Sequence, residues 1–185
     1  MMARGDQTQT AVLGALSVMP MTGYALRSEI QNTLGHFWNE SFGQIYPTLA
    51  ELERQGLVER RGAERTGSST FAITGDGTAR LRELLAQPEQ PARPRNGLLL
   101  RLFFGRQLGP EACRDLVEAA RRRAVEQLAH MSAVREELRN DQQNTADSPY
   151  WLLTVSAGEH AARATIAWAD ETLAALANLP AEENP

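Results

Sequence analysis

Residues 41–74 read SFGQIYPTLAELERQGLVERRGAERTGSSTFAIT, and the fold turns on them. Phe42, Ile45, Leu49 and Leu52 recur at spacings of three and four, the signature of one helical face. Ser41 followed three residues later by Gln44 matches a capping box, so the pattern predicts a helix opening at Ser41. Gly56, just beyond the last apolar position, predicts its end. Pro47 fits only near the first turn, because a proline in a helix interior costs about 3 kcal/mol. LVERR and STFAIT then alternate and are rich in β-branched and aromatic residues, with GAERTG as a polar turn between them. A capped helix followed by a two-stranded hairpin is the expectation.

Upstream, TAVLGALSV clusters Val12, Leu13, Ala15 and Leu16 on one helical face. Thr22 is placed to cap a second helix carrying Tyr24, Leu26 and Ile30, which Gly35 stops. Downstream of the hairpin, Thr74 caps a fourth helix with Leu81, Leu84 and Leu85. Residues 87–97, QPEQPARPRNG, hold three prolines within seven positions and forbid a continuous helix. Beyond them the pattern is helical over 98–108, 110–140 and 148–179, with Pro110 and Pro149 at first helical positions, where proline is welcome. Leu152, Val155, Glu159, Ala162, Ile166, Ala169, Leu173 and Leu176 form a heptad seam on the last helix. Leu116, Ala120, Ala124, Leu128, Met131, Val134 and Leu138 form its counterpart. The expected fold is mainly α: a winged helix-turn-helix of three helices and a two-stranded wing, then an all-α dimerisation domain with long antiparallel helices. The expected domains are 1–87, a linker 88–97, a helical domain 98–180 and a tail 181–185.

Of the 185 residues, 42% are hydrophobic, which is ample for a core. The net charge is −4, the pI is near 5.5, and all 19 basic residues are arginine. That balance argues against a nucleic-acid partner until the charge is localised. Residues 54–82 hold Arg54, Arg60, Arg61, Arg65, Arg80 and Arg82 against Glu59, Glu64 and Asp76, a locally basic stretch. The single cysteine, Cys113, excludes a disulfide scaffold. No apolar run has the roughly 20 residues of a membrane span and the start resembles no secretory signal, so a cytoplasmic protein without a membrane partner is expected. Phosphate loops, nucleophile elbows and metal-ligand spacings are absent from the sequence. The expectation is a non-enzyme with no cofactor, no catalytic residue and no metal.

With its apolar stripe inward, the third helix leaves Gln44, Tyr46, Pro47, Thr48 and Glu51 outward. Gln44 and Thr48 suit base edges in a major groove and the Tyr46 hydroxyl a phosphate, with Ser41 at the helix start. At the hairpin tip Arg65, Thr66, Gly67, Ser68 and Ser69 combine a guanidinium with small donors, suited to phosphate or minor-groove contact. Glu51 repels phosphate unless it pairs with Arg54. His36, Phe37 and Trp38 precede the third helix, where they either bind a planar ligand or serve as core. Tyr150, Trp151 and Trp168 are the other large aromatics considered for an effector. Leu152, Val155, Glu159, Ile166 and Leu173 are the expected dimerisation seam, with Arg163 the nearest partner for Glu159.

The run HFWNESFGQIYPTLAELERQGLVERR, the wing after it and FAITGDGTARL together resemble the PadR-type winged-helix transcriptional regulators, from about Ala11 to Leu85. The helical second half resembles that of the larger subtype. Asn39 and Phe71 depart from the family's usual proline and tyrosine. The resemblance implies a homodimer on a double-stranded, pseudo-palindromic operator, acting as a repressor and released by a small aromatic effector such as a phenolic acid or drug. The competing reading is a winged-helix protein-interaction adaptor without sequence-specific DNA binding.

Overall fold

The computed structural model describes residues 4–35, 38, 42–62, 69–88, 95–140 and 146–179. These fall into two units, one ending at Arg93 and the other beginning at Pro94.

The first unit is organised around α1 (Arg4–Val18), whose Val12, Leu13 and Leu16 are fully buried. It packs on α3 (Ile45–Arg54) and α4 (Gly75–Leu85) and lies against the sheet. Short α2 (Gly23–Glu29) is capped by the Thr22 hydroxyl, which accepts from the Ala25 N–H at 3.1 Å. It runs on into a wider, π-helical turn, Ile30–Leu34. Ile45, Leu49 and Leu52 supply the buried face of α3, and Gly56 ends that helix with a left-handed φ of 72°.

The start of α3 differs from the capping-box expectation. Residues 42–44 form a 3₁₀ turn, the α-helix opens at Ile45, and Gln44 makes no side-chain capping bond. Proline decides this. An α-helix begun at Ser41 would bury Pro47 in its interior, whereas a start at Ile45 puts it in the first turn, where backbone N–H groups have no helical partner anyway. Ser41 lies outside the described residues.

The hairpin forms as β2 (Val58–Arg61) and β3 (Thr70–Ile73), antiparallel, with Arg60 opposite Phe71. A third strand, β1 (Met21–Thr22), pairs with the other edge of β3, giving the order β1-β3-β2. The two-stranded expectation missed it because two residues are too few to show alternation. The Thr74 hydroxyl accepts from the Gly77 N–H at 3.0 Å and donates to the Gly56 carbonyl at 2.9 Å, tying α4 to the end of α3. A side chain at Gly77 would strike the Leu57 carbonyl oxygen, 2.0 Å from an ideal Cβ. Tyr24 and Leu85, read as apolar-face residues, are exposed.

In the second unit the predicted 98–108 helix divides into α5 (Gly97–Phe103) and a 3₁₀ turn at Gly105–Gln107. Asn96 caps α5 through two backbone N–H groups at 3.0 Å. α6 (Pro110–Asn140) and α7 (Ser148–Ala177) form an antiparallel hairpin. On α7, Val155, Glu159, Ala162 and Ala169 are buried; on α6, Cys113, Val117, Ala120, Ala124 and Met131. Leu116, Leu128, Val134 and Leu138 are half-buried flanks rather than the centre of the stripe. Arg121 pairs across to Asp170 at 2.6 Å, and Arg122 reaches Glu118 at 3.8 Å.

Glu159 is 5% exposed, and its principal partner is Arg135 of α6, which donates Nε and Nη2 at 2.9 and 3.1 Å. Arg163 adds a third bond at 3.2 Å. Sequence spacing exposed only the Arg163 contact. The Arg135 bonds hold the Glu159 carboxyl below its ordinary range, against the opposing effect of burial. A depressed folded-state value means stability that is present above about pH 4.3, the usual glutamate value, and lost as pH falls through the lower folded value. Thermal denaturation from pH 6 to 3 is therefore expected to show an acid-side loss of midpoint that Glu159→Gln removes, with a lower midpoint for that variant at neutral pH.

Candidate nucleic-acid interface

Because α3 buries Ile45, Leu49 and Leu52, helical geometry turns the intervening residues outward. Gln44 and Pro47 are exposed, Tyr46 is 47% exposed and Thr48 is half-buried. Tyr46 borders an open groove of about 610 Å³. The groove is lined by Thr22, Gly23 and Tyr24, by Leu49, Ala50 and Glu53 of α3, and by Arg60, Ser69 and Phe71 of the hairpin. Of the residues expected at a nucleic-acid contact, the groove thus gathers Tyr46 and Ser69. It adds Tyr24, which the sequence pattern assigns to an apolar stripe, and Arg60, which that pattern marks only as one cation of the basic stretch 54–82.

The Tyr46 ring sits on Gly23. A Cβ there would lie 2.9 Å from Tyr46 Cε1 and 3.7 Å from a Leu49 methyl, so α2 approaches α3 this closely only because the position lacks a side chain.

The arginines of α3 and β2 are each engaged by a glutamate. Arg54 bonds Glu51, as the charge reading required, and Gln55 joins the same carboxylate. Arg60 donates Nε and Nη2 to Glu53 at 3.0 and 3.1 Å, and Arg61 donates to Glu59 at 2.7 Å. Arg54 holds the Glu51 carboxyl below its ordinary range with help from Gln55, and Arg60 does the same for Glu53. Among the described residues, Arg54, Arg60 and Arg61 of the basic stretch are therefore each offset by a carboxylate in space.

Arg65, Thr66, Gly67 and Ser68 of the wing tip lie outside the described residues, as do His36 and Phe37. Trp38 is half-buried against the core of the first unit, its N–H bonded to the Leu34 carbonyl at 2.8 Å. In α7, Tyr150 is exposed and Trp151 and Trp168 are half-buried. Seventeen helical residues separate the two tryptophans, roughly 25 Å at 1.5 Å per residue, so they cannot line one small-molecule pocket of the same helix. Val155 and Glu159 of the expected dimer seam are consumed inside the hairpin, with Leu152, Ile166 and Leu173 half-buried beside them. Among the described residues no cluster of His, Cys, Asp or Glu could hold a metal ion, and no helix is long and apolar enough to cross a membrane.

Three helices, a sheet-borne wing and a long helical hairpin define a winged-helix transcriptional regulator with a helical C-terminal domain. The chain is a PadR-type regulator: residues 12–83 match the Transcriptional regulator PadR-like family, and residues 94–177 match Virulence activator alpha C-term. The Probable transcriptional regulator Rv1176c of Mycobacterium tuberculosis is 31% identical over 93 residues, 49% of each protein. The chain thus matches about half the length of that relative. The Negative transcriptional regulator PadR of Bacillus subtilis is 24% identical over 132 residues, 69% of this chain and 72% of PadR. The crystal structure of that PadR with operator DNA superposes with a TM-score of 0.77 at 21% identity, covering 91% of this chain and 98% of PadR. Its complex with p-coumaric acid gives 0.74 at 22%, covering 92% and 98%. The Vibrio cholerae virulence activator AphA gives 0.71 at 26% identity, again covering 92% and 98%.

The Gly23 contact carries a prediction. Gly23→Ala is expected to destabilise the protein by about 1 to 3 kcal/mol through overpacking. Tyr46→Ala in the same chain should recover part of that loss, read as a non-additive double-mutant cycle in urea denaturation.

Proposed function

We propose that this chain is a homodimeric repressor that binds a pseudo-palindromic operator through α3 and the wing and is released by a small aromatic effector. The observation that carries the reading is the outward face of α3, where Gln44, Tyr46, Pro47 and Thr48 stand beside an open groove while the opposite face is fully buried. Gln44 and Thr48 are suited to base edges, Tyr46 to a phosphate, and Ser41 with Arg65, Thr66, Gly67, Ser68 and Ser69 to flanking backbone. In this reading residues 1–87 are the DNA-binding domain, 88–97 the linker and 98–180 the dimerisation domain. The protein works in the cytoplasm and catalyses nothing, in keeping with relatives described as transcriptional regulators.

Dimerisation is supported by the apolar surface of the second unit. Leu99, Leu100, Phe103 and Phe104 of α5 and its turn are exposed, Phe103 by 82%, and so are Tyr150 and Leu153 of α7. A second copy would cover this surface. The effector reading takes His36, Phe37 and Trp38 as one candidate site for an aromatic acid, and Tyr150, Trp151 and Trp168 of the second unit as separate candidates. B. subtilis PadR with p-coumaric acid is the precedent for the ligand class.

The paired arginines favour one other reading, an adaptor whose winged helix binds protein. Salt separates the two, because counterion release makes DNA affinity fall steeply as salt rises. Fluorescence anisotropy with the chain's own upstream promoter fragment should show two protomers per site and a linear fall of log affinity with log salt. Tyr46→Ala and Arg65→Ala should each bind at least about tenfold more weakly, the loss of one good contact. Equal binding by all three proteins, or none to any fragment selected from random DNA, overturns the reading. Separately, planar aromatic acids should quench tryptophan fluorescence and His36→Ala should weaken the quenching; a response unchanged by that substitution places the ligand elsewhere.

A further inference from the structure

The groove beside Tyr46 contains a charge arrangement that generic helix-and-wing contact does not explain. Arg60 projects from β2 with its guanidinium 5.1 Å above the Phe71 ring, its Nε and Nη2 on Glu53 and its Nη1 3.5 Å from the Ser69 hydroxyl. Its side chain remains 52% exposed. The two-bond fork and the ring beneath it fix the guanidinium in place while its side chain stays open to water, so its donors remain within reach of a ligand in the groove. A carboxylate on a surface meant for nucleic acid is unfavourable unless something cancels it, and Arg60 cancels it. Hydroxyl donors complete the groove: Thr22, Tyr24, Tyr46 and Ser69. Donors around a single forked cation suit a phosphodiester, which accepts hydrogen bonds and offers none.

We infer that Arg60 contacts a DNA backbone phosphate in this groove, and that Glu53 both aims the guanidinium and restrains affinity by neutralising it. The inference rests on the DNA-binding reading above and deepens it. Phe71 supports the cation from below, and Glu53 occupies the Nε side, leaving Nη1 turned along the groove toward Ser69. Glu53 is a positioning residue: it touches Arg60 and not the nucleic acid.

The two partners are therefore expected to act in opposite directions. In full-length protein titrated with operator DNA at several salt concentrations, Arg60→Gln should weaken binding about tenfold and flatten the log–log salt slope by about one unit per protomer. Glu53→Gln should tighten binding severalfold at low salt and steepen the slope, because the carboxylate that offsets the cation is then removed. Thermal midpoints of both variants should stay near wild type. Arg60→Gln with wild-type affinity and slope overturns the inference, as does equal weakening by the two variants, the pattern of a structural staple. Loss of binding in Tyr46→Ala with Arg60→Gln unaffected would leave the DNA-binding reading standing and remove this one. Absence of DNA binding by the wild type removes both.

Discussion

Burial of one face of α3 against α1 is the constraint on which the first unit depends. Ile45, Leu49 and Leu52 fill the space beside Val12, Leu13 and Leu16, all at most 2% exposed. With side chains of this size, loss of a single one costs about 2 to 5 kcal/mol, a large share of a small domain's stability. The rotation of α3 about its axis is therefore not free. Once the apolar stripe is seated, Gln44, Tyr46 and Pro47 must face outward, and the left-handed turn at Gly56 must deliver the chain into β2 where Val58 re-enters the core. The groove follows from the same seating, since Gly23 lets α2 lie against Tyr46 and Leu49 of α3.

Charge is organised by a second rule: the described arginines of α3 and β2 are each answered by a carboxylate. Glu53 and Glu159 use the same chemistry with different consequences. Glu159 is enclosed between two helices, so its bonds to Arg135 and Arg163 offset a real desolvation penalty and set the register of the α6–α7 hairpin. Glu53 is partly solvated, and its pair with Arg60 alters the field of a surface more than the stability of a fold. A lysine-free chain suits this arrangement, because the planar guanidinium holds a carboxylate with two donors and keeps others for a second acceptor.

The second unit divides its apolar residues between two tasks. Small side chains such as Ala120, Ala124, Ala162 and Ala169 let α6 and α7 approach closely and are buried within the hairpin. The larger ones, Leu99, Leu100, Phe103 and Phe104, are left on the outside of α5 and its turn, where Phe103 and Phe104 meet edge to face at 5.1 Å. Of the heptad seam, Val155 and Glu159 are buried inside the hairpin, whereas Leu152, Ile166 and Leu173 stay half-buried beside it.

Long, strongly periodic elements were legible in the sequence: the stripe of α3, the extents of α6 and α7, the caps at Thr22 and Thr74 and the stop at Gly56. Each rests on an interaction within a few residues, where spacing and side-chain chemistry suffice. The family resemblance was legible for the same reason, through motifs clustered in one continuous run. What only the tertiary structure decided was non-local. The strand β1 exists because β3 has a free edge, and Tyr24 becomes part of the groove because Gly23 lets α2 lie on Tyr46. Arg135 reaches Glu159 from a position 24 residues away on the facing helix. The arginines of α3 and β2 are each offset by a glutamate, because charge is felt through distance in space rather than along the sequence.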